Sequence, residues 1–175
     1  MKTLRSAGFV LGIILLLTNS AFAREQKKPS TPEDRAMAVK VARLLETDPF
    51  HKEAKRMREW FTVWLIEVPD ISVELCGSYL GPVSGSGKNY GSEIVVQMMF
   101  SSAAFIIEHQ DQASDRIAVN LAGVEGALKA YESILTAKPK AKSDFLDELV
   151  AKRNKGELRA YVEEITSAKC NNKRA

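Results

Sequence analysis

Residues 81–92, GPVSGSGKNYGS, hold the one stretch of this 175-residue chain that looks at first like a phosphate-cradling loop. Such a loop needs a glycine, four further residues, then Gly-Lys and a serine or threonine. Its main-chain N–H groups wrap the phosphates and its hydroxyl holds magnesium. With Gly87-Lys88 as anchor, the required first glycine falls on Pro82 and the required hydroxyl on Asn89. The first change removes the turn that aims N–H groups at phosphate, the second removes the metal-binding oxygen, and no apolar strand precedes the loop. The stretch therefore reads as a turn-rich connection, and no nucleotide or other cofactor is expected.

The remaining reactive residue types are scattered. His51 follows Pro49-Phe50 at a helix start, and His109 ends an apolar helix beside Glu108. Adjacent helical residues point in different directions, so Glu108 and His109 cannot chelate together, and no metal site is expected. No Gly-x-Ser-x-Gly elbow occurs. Asp70, Glu74 and Glu93 flank the glycine-rich stretch, where two carboxylates could share acid–base work; the alternative is ordinary surface acids. Trp60, Phe61 and Trp64 form an aromatic cluster with two readings. Either they pack a helix against its neighbours, or Trp60 joins Tyr79 and Tyr90 to line a groove for a peptide or hydrophobic ligand. No catalytic set is assigned, and an enzyme is the secondary reading.

The chain ends bear on compartment. Lys2 and Arg5, the apolar run Gly8–Leu17 and then Ala21-Phe22-Ala23 have the layout of a secretory signal, with cleavage expected after Ala23. The apolar run falls short of the ~20 residues of a spanning helix, so no membrane span is expected after signal removal. The net charge is +3; loss of residues 1–23 removes two of 25 cations and none of 22 acids, leaving +1. A near-neutral surface gives no electrostatic ground for nucleic acid. Localisation is read as periplasmic or secreted. Two cysteines, Cys76 and Cys170, remain in the exported part, and in an oxidising compartment they read as a disulfide, the alternative being two free thiols. The chain-entropy relation gives such a long loop an upper value of ~4–5 kcal/mol.

The elements that must position these residues are helical. A polar lead-in (24–32) precedes one domain (33–170) and a basic tail (171–175). Ser30 or Thr31 can cap the first helix, 33–46, whose stripe holds Met37, Val41, Leu44 and Leu45. A second helix over about 50–67 carries Ala54, Met57, Phe61, Trp64 and Leu65 at spacings of three and four, ending before Pro69. Ile71, Val73 and Leu75 alternate, so a short extended piece is expected there, followed by a loose glycine-rich loop to about residue 92. Residues 92–109 are apolar nearly all round and read as a central buried helix. Segments 113–137, 143–153 and 157–168 complete an all-α fold: a compact bundle or array of five to six helices with one long glycine-rich loop.

ALKAYESILTAKP (127–139) resembles the second helix of a tetratricopeptide (TPR) unit, with Ala127, Tyr131, Ile134 and Pro139 in its small, aromatic, aliphatic and helix-ending positions. MAVKVARLLETDP (37–49) is similar, with Val41 in the aromatic place. The span between Pro49 and Pro139 is no multiple of the ~34-residue repeat, and the first-helix Trp-Leu-Gly-Tyr pattern does not occur. The C-terminal KSDFLDEL and GELRAYV stretches also resemble an uncharacterised family of small exported bacterial helical proteins. The resemblances imply helix-on-helix packing and bring no activity. The function expected is a protein–protein interaction or structural module with another exported or envelope protein as partner. The alternative is a small-molecule or lipid carrier, or a small enzyme, with loop 70–92 as its lid.

Overall fold

The computed structural model describes residues 27–170; the expected signal sequence (1–23) with its expected cleavage point, residues 24–26 and the tail 171–175 lie outside the described residues. Six α-helices and no strand are found among them: α1 (Pro32–Thr47), α2 (Ala54–Glu67), α3 (Gly91–Glu108), α4 (Arg116–Ala137), α5 (Asp144–Asn154) and α6 (Leu158–Lys169). Each boundary has a local cause. The Thr31 hydroxyl accepts the Asp34 N–H at 3.1 Å and the Asp34 carboxylate faces back, a reciprocal cap with Pro32 at the first position. Asp115 accepts from the Ile117 and Ala118 N–H groups at the start of α4, and Ser143 caps α5. Pro69 and Pro139 stop continuation of α2 and α4.

The core has two lobes that meet at α3. Ile94 and Met98 face one lobe, with Val124, Leu128 and Ile134 of α4, Leu146 and Leu149 of α5, and Val162 of α6. Phe100, Ala103, Ala104 and Ile106 face the other, with Ala38, Val41 and Leu45 of α1 and Phe61 and Trp64 of α2. Phe61 and Phe100 stack with centroids 4.0 Å apart, and both are fully buried. Burial on two sides explains why α3 is apolar around most of its circumference. By length and composition α3 alone among the described helices could cross a membrane, and 56% of it is buried within the fold.

The closest packing is between α3 and α4. A Cβ at Gly126 would collide with the Ser101 side chain, and one at Gly123 would collide with Ser102 Oγ and meet Met98 O at 2.9 Å. Two glycines facing two serines let the helix backbones approach more nearly than alanine would allow. Ala127, next in sequence to Gly126, is fully buried as well.

The glycine-rich connection differs from the expected loose loop. Residues 68–76 form no helix or strand, bending at Pro69-Asp70 between extended backbone at Val68 and Cys76, but Gly77–Gly85 wind into a 3-10 segment broken at Gly81, which has φ 51°. Tyr79, Leu80 and Val83 are buried in the core, and a Cβ on Gly81 would strike the Phe145 ring. The lid reading of 70–92 is corrected accordingly. Lifting that segment would pull three buried side chains out of the core, a cost of roughly 1.5–3 kcal/mol for each large one. The lead-in is anchored as well: Ser30 donates through its N–H and hydroxyl to Asp70 (2.9 and 2.7 Å), and Lys27 Nζ donates to the Ile66 carbonyl at 2.6 Å.

Candidate functional site

Residues singled out from the sequence fall in separate places. Cys76 and Cys170 are joined, with Cα atoms 5.8 Å apart, tying the start of the 3-10 segment to the end of α6. A disulfide accords with an oxidising, exported location. Arg116 reinforces the same junction, donating twice to Glu74 at 2.9 Å and to the Cys170 carbonyl at 3.2 Å. Asp70 and Glu74 are thus ion-pair partners of Arg35 and Arg116. His51 Nδ1 accepts the Glu53 N–H, and the His109 ring packs on Phe105 at 4.6 Å. No group of three or more His, Cys, Asp or Glu residues among the described residues is placed to hold a metal ion.

The Trp60–Tyr79–Tyr90 groove is corrected. Tyr79 is only 1% exposed and lies in the lobe opposite Trp60's. Its hydroxyl is 2.8 Å from Thr166 Oγ1; since Thr166 donates to Val162 O, Tyr79 is the donor of that pair. Burial raises the Tyr79 phenol above its ordinary pKa. Trp60 stacks on Trp64 at 5.9 Å, along its own helix. Tyr90 meets Phe50 edge-on at 5.1 Å. A sealed tyrosine lines no groove.

Two features went unmarked in the sequence. The first is a buried polar knot at the end of α1. Glu46 is 3% exposed and its carboxylate takes three donors: Arg43 at 2.6 Å, Ser101 Oγ at 2.8 Å and Lys129 Nζ at 3.4 Å. Gln97 donates to Ser101 Oγ and to the Ala42 carbonyl, both at 3.0 Å, while Ser133 donates to the Glu46 carbonyl. The knot joins α1, α3 and α4. Desolvation works against the Arg43 charge, but Glu108 and Glu46 outweigh it and raise the guanidinium above its usual pKa. Ser101 is fully buried, so no substrate reaches it; the knot orients helices.

The second is an apolar groove of about 530 Å³ between the C-terminal half of α2 and the irregular stretch 68–75. Leu65, Ile66, Val68, Ile71, Val73 and Met99 form much of its lining. Ile71 is buried and anchors the stretch, while Ile66 (65%) and Leu75 (55%) stand exposed at the rim. No main-chain N–H or C=O of Ile71–Leu75 is hydrogen-bonded among the described residues. The alternation of Ile71, Val73 and Leu75 is the signal that marked an extended piece, and exposed rim residues are what such alternation leaves without a covering strand. No protein-family model, curated protein or solved structure matches this chain, so its reading rests on this geometry.

Proposed function

We propose that the protein is an exported interaction module that holds an extended, apolar-rich segment of an envelope or secreted partner along residues 70–75. The carrying observation is a non-helical main chain, without hydrogen bonds among the described residues, running beside an apolar groove. An added strand would satisfy the idle N–H and C=O groups, and its alternate side chains would enter the groove past Ile66 and Leu75. Exposed apolar rim residues of this kind mark interaction surfaces more often than a soluble monomer's average surface does. The disulfide and the secretory layout of residues 1–23 support export, and the TPR-like stretches support a helical scaffold made for contact.

The test is binding of peptides selected against the oxidised protein from a library of alternating apolar sequences. Ile66→Asp with Leu75→Asp, both at exposed positions, leaves the thermal midpoint within a few degrees and weakens the selected peptides at least tenfold, ~1.4 kcal/mol. Peptides that bind the double variant as tightly as the parent contradict the proposal.

A further inference from the structure

A second surface lies at the other end of the glycine-rich connection. The turns Gly87–Tyr90 and Ala137–Ala141 face each other across a cleft of about 650 Å³, and a cavity of about 270 Å³ adjoins it at Asn89. Four lysines line the pair: Lys138 and Lys140 the cleft, Lys88 and Lys142 the cavity. Lys142 reaches Asp147 at 3.4 Å, but Lys88, Lys138 and Lys140 have no carboxylate within ion-pair distance among the described residues. The only acid in the cleft lining is Glu93, whose charge is felt by the half-buried Arg58 guanidinium.

Like charges on neighbouring turns repel, and Glu93 is the one acid in the cleft lining to offset them. The turns that carry the lysines are fixed by local structure. Pro139 fixes the Lys138–Lys140 turn, and Ala141 N–H donates to Lys138 O at 2.9 Å. Lys138 Nζ sits 6.0 Å over the Phe50 ring, which Tyr90 braces edge-on. Asn89 and Tyr90 are successive non-glycine residues with left-handed φ (51° and 63°), a conformation that costs about 1–3 kcal/mol at each and persists where the surroundings impose it. Asn89 Nδ2 reaches the Lys142 carbonyl at 3.5 Å and links the two turns.

We propose that this cleft, together with the adjoining cavity that it meets at Asn89, binds a small polyanion carrying two or more phosphate or carboxylate groups, held by the Lys138 and Lys140 ammonium groups of the cleft and Lys88 of the cavity. Recognition is by side-chain charge on preset turns, unlike the main-chain cradle of a nucleotide loop, and it is independent of the groove at α2.

Calorimetric titration of the oxidised chain with inorganic pyrophosphate and with citrate, at ~0.15 M salt so that loose surface attraction is screened, tests it. One or both anions bind with sub-millimolar affinity, and acetate does not. Lys138→Gln with Lys140→Gln weakens binding roughly tenfold or more, whereas Lys55→Gln on α2 leaves it unchanged. Pyrophosphate binding alone identifies a phosphate site, and citrate binding alone a carboxylate site. Failure of both anions, or equal binding by the double variant and the parent, overturns the proposal.

Discussion

Glu46 shows how a single side chain can commit three helices. Its carboxylate is out of water and receives three donors, two of them cations from α1 and α4. Removing the carboxylate leaves the Ser101 hydroxyl without its acceptor and takes the paired charge from Arg43 and Lys129. Glu46→Ala is therefore expected to lower stability by about 3 kcal/mol, measured by urea unfolding. Gly126 gives a prediction of opposite sign from propensity. In an open helix interior, Gly→Ala stabilises by up to ~1 kcal/mol. Here the new methyl would meet Ser101 and lie 2.8 Å from Glu46 Oε1, so Gly126→Ala destabilises by roughly 2 kcal/mol, whereas Gly85→Ala, facing open space, changes stability by less than about 0.5 kcal/mol. Neither residue stood out in the sequence. An acid in the last turn of an amphipathic helix looks like any solvated acid, and the partners of Glu46 come from positions 55 and 83 residues away.

At the scale of elements, the helices were legible because each carries its own stripe and its own stop. The expected 33–46 is Pro32–Thr47, and the expected 143–153 is Asp144–Asn154. The second helix starts later than read, at Ala54, because residues 49–53 turn before the ladder begins. The glycine-rich connection misled because five glycines outweighed Tyr79, Leu80 and Val83, whose spacing is that of one buried turn. The groove followed only halfway: alternation marked the extended piece, but which wall it faced depended on how α2 packs. Local clustering of Lys138, Lys140 and Lys142 was likewise hidden in a nearly neutral total. The disulfide belongs to this scale too. It closes a sequence separation of 94 residues, and Cys76→Ser with Cys170→Ser should cost about 2–5 kcal/mol in thermal or urea unfolding. Amide exchange should quicken first at the end of α6 and in the 3-10 segment, which the bridge and Arg116 pin together.

The whole molecule should lose stability at both ends of the pH scale, for separate reasons. Desolvation pushes the Asp70 carboxyl upward, but the Ser30 N–H, the Ser30 hydroxyl and Arg35 outweigh it and hold the group down at about 2. Its stabilising contribution is complete above the ordinary carboxylate pKa of ~4 and is lost as pH falls from there toward 2. On the other side, burial first and nearby acids second push the Tyr131 and Tyr161 phenols up to about 12. Their contribution is complete below the ordinary phenol pKa of ~10 and is lost as pH rises from there toward 12. Urea midpoints against pH should therefore fall on both limbs, with Asp70→Asn flattening the acid limb and Tyr131→Phe the alkaline one. Between those limbs stands a two-lobed helical scaffold in which, among the described residues, the Ile71–Leu75 main chain makes no hydrogen bond and runs beside an apolar groove. Hydrogen exchange at the amides of Ile71–Leu75, with and without a bound apolar peptide, reads that segment directly. Fast exchange in the free protein and strong protection of at least alternate amides in the complex is the predicted result; protection that appears elsewhere while these five amides stay fast would contradict strand addition at this site.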